Sequence, residues 1–460
     1  MLHPVLRPKQ TVHASLKLDG WTLVAVIVCA AFLILASVMI TETPVAGTGL
    51  SQLQLLLAPA VAALASATAM KLHSHSKIER PSRALVVAVT AFALLLLWAA
   101  ASLPLVQHWA SVSVGEPTAV VPVPRAYLLS PLITAALTCL LAILAVNLAP
   151  PQQLFQLLWW FAIAGVFVTP AATLYNAQYT DVYGRLETRL GGAAVLHTAL
   201  LLGLAICVAA VLSGFRRLWS TIAAVAYLGF FLATGARAGL LSLGLFLALV
   251  TFPALISALR RRPGQLPLIV GGAVLGAGAF AFTAHRILLS RGFDITGGGR
   301  IDTWAYGLHQ LGASLGNLVF GVGYGVLWPW YAFEARALPQ PGAHGDKQMP
   351  EGMTLSHAHN LYIAVLSEQG LVGLGLLAIV LGTALWALWR AREAVEKTLA
   401  AGLVATLPSF AFDTYLTKNF PVSFIWWVVL AALLTLMSYR RRSEQLLAPT
   451  RPRVLNLGSR

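Results

Sequence analysis

The sequence predicts an all-α polytopic membrane protein, and three observations carry that prediction. Of 460 residues, 58% are hydrophobic and only 10% charged, at a mean hydropathy of +0.77. A soluble domain carries roughly a quarter charged residues, so an ordinary water-soluble enzyme is excluded, as are a disordered chain, a coiled coil and a disulfide scaffold. Next, apolar stretches of about 20 residues recur from Trp21 almost to the C-terminus, the length of a spanning helix rather than of a ~10-residue barrel strand. A hydrocarbon core offers no water to backbone groups, so a helix must satisfy them internally. Finally, the basic residues gather in short connections: Lys71 to Arg83, Arg216-Arg217, Arg260-Arg261-Arg262, Arg390 to Lys397 and Arg440-Arg441-Arg442. A net charge of +15 and a pI near 10.2 would otherwise suggest nucleic acid. Loop cations beside anionic lipid, with few aromatics interleaved, fit membrane topology instead, and no nucleic-acid partner is expected.

Twelve helices are expected, at roughly 21–40, 50–70, 84–106, 126–147, 154–174, 193–212, 219–234, 237–256, 267–284, 370–389, 398–415 and 420–438. The first is too long for the apolar part of a signal peptide and a second span soon follows, so it reads as an uncleaved anchor. With the N-terminus cytoplasmic, 21 of the 31 Lys and Arg fall inside and 10 outside, while carboxylates divide 5 inside and 11 outside. That asymmetry predicts both termini in the cytoplasm. The Ala233-Thr234-Gly235-Ala236-Arg237 junction reads either as a boundary between two spans or as one broken helix. Cys29, Cys139 and Cys207 all lie inside apolar segments and read as small buried hydrophobes, with no disulfide or metal role. The chain thus divides into residues 1–284 (nine spans and short loops), 285–369 (one large outside loop) and 370–460 (three spans and a basic tail). Loops as long as the second are usually functional.

Topology does not explain the outside arginines, which are Arg125, Arg185, Arg189, Arg237, Arg286, Arg291, Arg300 and Arg336. Arg237 is the sharpest case, because an arginine between two apolar spans needs a partner, a cavity or the headgroup layer; snorkelling to lipid phosphate is the plain alternative. Arg185 and Arg189 are spaced i,i+4 and share a face if their loop is helical, with Glu187 as a possible surface ion-pair partner. Gly297-Gly298-Gly299-Arg300 lets backbone approach a ligand and then presents a guanidinium. Several such planar, always-charged groups at a membrane boundary suit a lipid-linked diphosphate.

Ser356-His357-Ala358-His359-Asn360-Leu361-Tyr362 forms the second constellation. Two histidines at i,i+2 could ligate a metal, but no Cys or acidic cluster of ligand spacing completes the set and no Asp-x-Asp motif is present, so no metal is expected. A neutral imidazole here could instead act as general base toward a sugar hydroxyl, or be simply satisfied in an interfacial helix. Glu368 is structural or an orienting partner; spacing does not choose. No Gly-x-Ser-x-Gly, P-loop or dinucleotide fingerprint occurs. No cofactor is therefore expected, and the driving energy would arrive in an activated lipid-diphosphate sugar.

These residues resemble the bacterial O-antigen ligase and polymerase superfamily of polytopic membrane glycosyltransferases. His359-Asn360, nine residues, then Gly370-Leu371-Val372-Gly373 is similar to the ligases' His-(Asn/Ser/Gln)-x9-Gly-x-x-(Gly/Thr/Tyr) signature. Thr234-Gly235-Ala236-Arg237 is similar to the family's Thr-Gly-Ser-Arg, departing at Ala236, and Gly299-Arg300 followed by Trp304 to its Gly-Arg-x-x-x-Trp. The likeness runs from about residue 155 to 440. It implies a C-type glycosyltransferase fold in the inner membrane, a large periplasmic loop over a cavity, and metal- and ATP-independent chemistry. The implied reaction moves O-antigen polysaccharide from undecaprenyl diphosphate to a sugar hydroxyl of the lipid A–core. Carried over, Arg237 and Arg300 bind diphosphate, His359 is the base and Asn360 positions it; Arg185, Arg189 and Arg291 are further diphosphate candidates. A single displacement would invert the anomeric centre. An O-antigen polymerase and a protein O-oligosaccharyltransferase share the donor and differ in acceptor. A lipid-linked-glycan transporter would also use outside cations, but it should place charges in several span centres, which here are almost charge-free.

Overall fold

A computed structural model describes residues 18–38, 51–74, 81–106, 109–113, 118–175, 185–261, 300–335, 347–349, 352–354 and 357–447, with the single residues 278 and 285. Apart from residue 278, the expected span at 267–284 lies outside the described residues, as does the candidate Arg291. What is described is an all-α polytopic membrane protein. Among the described residues, eight helices are long and apolar enough to cross a bilayer. They are α1 (Gly20–Val38), α2 (Gln52–His73), α3 (Arg83–Ser102), α4 (Arg125–Leu148), α5 (Leu154–Tyr175), α6 (Ala193–Ser213), and two helices near the C-terminus, Leu361–Arg390 and Phe420–Leu447. Two shorter apolar helices, α7 (Arg217–Ala233) and α8 (Arg237–Arg261), follow α6. The sheet content among the described residues is two short antiparallel hairpins, Trp109–Ser113 with Thr118–Pro122 and Lys347–Met349 with Gly352–Thr354, both in connections.

Lipid explains which side chains face outward. Leu23, Ile27, Leu97, Phe167, Trp219 and Leu241 are exposed, which would be costly over so large an area in water and is ordinary in hydrocarbon. Toward the centre, aromatic rings lock the helices: Phe32 and Phe161 meet Phe424 edge-on, and Phe92 tilts against Trp427. Ends are closed locally. Ser51 and Gln54 form a reciprocal capping box on α2. Lys71 donates to the carbonyls of Asn147 and Leu148, meeting two of the orphan acceptors at the C-terminus of α4.

The large loop contains α9 (Arg300–Gly312), α10 (Leu315–Phe320) and α11 (Trp330–Glu334). It ends earlier than expected. Helix α12 runs from Leu361 to Arg390, so what reads in the sequence as a loop end at 369 is already helix, bent at Gly370. The apolar run at 361–366 belongs to this helix, and the polar Ser367-Glu368-Gln369 with Gly370 only interrupts it; Asn360 caps its start, with Oδ1 accepting from Ile363 N at 3.1 Å. The segment expected to span at 398–415 also differs. Helix α13 (Ala394–Thr406) has 13 residues, about 20 Å at 1.5 Å per residue, and gives way to a 3-10 turn, Leu407–Ala411, then an irregular connection. Proline at 408 has no N–H to continue the ladder. Helix α14 (Phe420–Leu447) is the last described element and is almost wholly enclosed by its neighbours through its apolar part.

The bend at Gly370 is a crossing of two backbones. Gly370 has φ +66 and ψ −165, a region essentially reserved for glycine. A Cβ there would fall onto Val319 O and Gly321 N, and one at Gly321 (φ +81) onto Glu368 O and Gln369 N. Val322 N and Gly323 N then donate to Ser367 O and Glu368 O, both at 3.0 Å. Gly370→Ala is expected to destabilise by more than the roughly 1–3 kcal/mol of backbone strain alone, because the steric overlap adds to it. A lowered unfolding temperature in detergent checks this; an unchanged one would mean the crossing is not formed.

Candidate active site

The polar residues of interest gather at the end of the bundle where α6, α8, α12 and α14 begin. The opposite ends of the same helices carry Arg216-Arg217, Arg260-Arg261, Arg390 and Arg440-Arg441-Arg442. Arg237 is the first residue of α8, immediately after a break in which Gly235 takes φ +52 and Thr234 Oγ1 donates to Phe231 O at 2.7 Å. The junction 233–237 is therefore a boundary between two helices. Leu186 N donates to Ala233 O at 3.0 Å, which ties the 185–190 turn to that break. This turn is not helical, so Arg185 and Arg189 do not share a helix face; Arg189 Nη1 reaches Val38 O at 3.4 Å.

Arg300 is the first residue of α9. A cation at a helix N-terminus opposes the helix dipole, so propensity does not account for it there, nor for Arg237 at the start of α8. Burial is the main cause holding Arg300 below the ordinary guanidinium range; Asp413 opposes this, and Arg185 and Arg237 add to it. The three arginines thus share one electrostatic neighbourhood with Asp413. Helix N-termini present unspent N–H groups as well, so cations and backbone donors favour the same anion.

One turn into α9, Trp304 Nε1 donates to Ala358 O at 2.7 Å. That bond clips Arg300's helix to the turn between His357 and His359. His359 has φ +48, uncommon for a residue with a side chain and typical of functional or strained positions. Its Nδ1 lies 3.7 Å from Asp413 Oδ2, an ion-pair distance rather than a hydrogen bond. The two imidazole centroids are 3.6 Å apart at 43°. Burial above all lowers the His359 pKa below the ordinary imidazole value; Asp413 raises it, and Arg300 and Lys418 lower it further. His357 is held well below that value by burial, then by Lys418, His359 and Arg300. The lowering favours the neutral ring that a base requires. Asn360 does not touch the imidazole through a hydrogen bond: its side chain caps α12, positioning His359 through the backbone.

Asp413 is the partner that sequence reading missed. It lies in the connection after the 3-10 turn, buried, with Oδ1 accepting from Thr414 N (2.7 Å) and Asn419 Nδ2 (3.1 Å). A buried network below holds that turn: Ser409 Oγ is 2.7 Å from His197 Nε2 and 2.8 Å from Ser242 Oγ. Lys418, also unremarked in the sequence, pairs with Glu334 and lies 4.5 Å from the Trp330 ring centroid. A signal existed for both: Asp413 is a charge inside the expected span at 398–415, and Lys418 is one in the short link before the next. Glu368 serves the loop and not His359: its Oε1 accepts from Leu327 N (3.2 Å) and Trp328 N (3.0 Å).

Trp304→Phe keeps the ring and removes one hydrogen bond, worth about 0.5–1.5 kcal/mol. If the clip positions Arg300, any activity of the site should fall roughly 2–10-fold with the unfolding temperature little changed; a wild-type rate would separate the clip from the chemistry. Among known proteins, no family model matches the chain and no curated protein matches it significantly.

Proposed function

We propose that the chain is an O-antigen ligase, a membrane glycosyltransferase that moves O-antigen polysaccharide from undecaprenyl diphosphate to a sugar hydroxyl of the lipid A–core. The observation that carries this reading is the neighbourhood of Arg300. Its helix is clipped beside His359, and its charge is felt together with those of Arg185, Arg237 and Asp413. Guanidiniums and helix N-termini suit a diphosphate, and a neutral imidazole beside a carboxylate suits a hydroxyl.

In the reaction, the acceptor oxygen attacks the anomeric carbon while its proton passes to His359. The bond from that carbon to the diphosphate oxygen breaks, and the electron pair leaves with undecaprenyl diphosphate. Asp413 stabilises the imidazolium that forms; Arg300, Arg237 and Arg185 offset charge building on the leaving group. A single displacement inverts the anomeric configuration. The chemistry asks for no nucleotide, and the reading includes no metal requirement.

On this reading the protein lies in the inner membrane with both termini cytoplasmic. The arginine-rich helix ends face the cytoplasm and the site faces the periplasm, as positive-inside bias favours. Twelve spans of C-type arrangement belong to this reading, with the shorter helices and the 394–411 segment among them. The test incubates purified protein with undecaprenyl-diphosphate-linked O-antigen and lipid A–core, with chelator and no nucleotide, and resolves the products on a gel. A ladder of extended lipopolysaccharide is expected. Lengthening of the lipid-linked glycan instead would make the protein a polymerase, glycan on Ser or Thr of a protein acceptor an oligosaccharyltransferase, and movement of intact donor without transfer a transporter.

A further inference from the structure

We propose that His357, His359 and Asp413 form a binding site for a borderline divalent cation, Zn²⁺ above others. Each of the three offers one ligand atom, and these atoms all lie within 4.8 Å of one another. A tetrahedral zinc with bonds of about 2.0–2.1 Å spaces its ligand atoms about 3.4 Å apart. His359 Nδ1 and Asp413 Oδ2 are near that spacing already, at 3.7 Å. Small side-chain movements bring in the third.

The condition of the ligands points the same way. The Nδ1 atoms of both histidines are buried without a hydrogen-bond partner among the described residues. Buried polar atoms are seldom left so, and two adjacent ones ask for a common partner. A cation meets that need through the Nδ1 lone pair that each ring offers in its Nε2–H tautomer. Asp413 supplies the anion, and its other oxygen is held by Thr414 N and Asn419 Nδ2, an outer shell that orients the carboxylate. Two imidazoles and one carboxylate favour Zn²⁺, Cu²⁺ or Ni²⁺ over Mg²⁺ or Ca²⁺ and leave a fourth position open. The nearby charge of Lys418 is met by Glu334. Arg300 works against a dication, so affinity below that of a structural zinc site is expected. A bound metal would take the lone pair of the imidazole assigned above as base, making the site inhibitory; that consequence rests on the proposed function, whereas the binding does not.

Chelator-stripped full-length protein in detergent would be titrated with ZnCl₂ by calorimetry, and the zinc-loaded wild-type protein examined by X-ray absorption. One Zn²⁺ per chain with two imidazole nitrogens at about 2.0–2.1 Å is expected. His357→Ala and Asp413→Asn should each weaken binding by more than the roughly 10–100-fold that loss of an outer-shell partner costs. Wild-type affinity in His357→Ala, or a wild-type absorption spectrum without imidazole ligands, would overturn the site. Because the spectrum needs no variant, a poorly folded mutant does not blur the answer. In the gel assay, Zn²⁺ should stop transfer at the concentration that fills the site, and chelator should restore it. Zinc held by two imidazoles with transfer undiminished would keep the metal site and remove His359 as the base. No transfer by the metal-free protein would remove the ligase reading and leave the titration to decide the site.

Discussion

His359→Ala is expected to slow glycan transfer by about 10²–10⁴-fold, the usual cost of losing a positioned proton acceptor, in a protein that still folds. The side chain is partly exposed, so its removal opens no large enclosed cavity. Alanine also tolerates the φ of +48 poorly, as histidine does, and little backbone strain is added. The pH profile should carry the same assignment. A base works unprotonated, and burial lowers the His359 pKa below its ordinary value near 6.5. The rate is therefore expected to be flat above about pH 6.5 and to fall in acid, as the imidazole takes up a proton. Neighbouring charges set where it falls. Asp413→Asn removes an influence that raises the pKa and should move the acid limb to lower pH; Lys418→Met removes one that lowers it and should move the limb upward. Stability needs a separate reading, because both histidines are depressed in the folded protein. Their contribution is present above the unfolded imidazole value and is lost as pH falls below it. Unfolding temperatures measured at each pH distinguish a lost base from a lost fold. A His359→Ala protein that is folded and transfers at the wild-type rate would end the assignment.

Arg300→Ala should cost about 10²–10³-fold, the scale for removing one preorganised donor to developing charge. The loss should appear in the maximal rate as well as in donor affinity, because charge on the leaving group grows as the anomeric bond breaks. Arg300→Lys is expected to recover little. Lysine restores the charge but not the planar fork that holds two phosphate oxygens at once. Its removal also relieves the site: Arg300 lowers the His359 pKa, so the residual activity of Arg300→Ala should show its acid limb shifted upward. A simple phosphate-positioning residue far from His359 would change the rate without moving that limb. Loss of rate with an unmoved limb would therefore place Arg300 away from the base, against the geometry described here.

The spans were legible because burial in lipid is a sum over neighbouring residues: about 20 apolar positions in a row suffice, whatever lies beside them. Ten of the twelve expected spans have a helix at the expected place, and 267–284, apart from residue 278, lies outside the described residues. At the remaining one, 398–415, the helix starts earlier and ends at Thr406, because hydropathy is blind to Pro408 and to the turn that follows it. Arg237, Arg300 and His359 were legible for a related reason. Each is a polar residue where composition and topology offer no cause for one, and such exceptions show in a linear reading.

Their company was not legible. Asp413 reaches His359 from a connection that looked like membrane span, and Trp304 clips α9 to Ala358 across a stretch with no period linking the two. Glu368, nine residues beyond His359, was as plausible a partner by spacing and instead holds Leu327 and Trp328. Two histidines alone read as an incomplete ligand set until packing supplied the carboxylate. The physical division is one of range. Transfer from water to lipid acts residue by residue along the chain and leaves its mark in composition. Hydrogen bonds and ion pairs act over 3–4 Å between segments far apart in sequence, so only the packed helices could decide which charges meet.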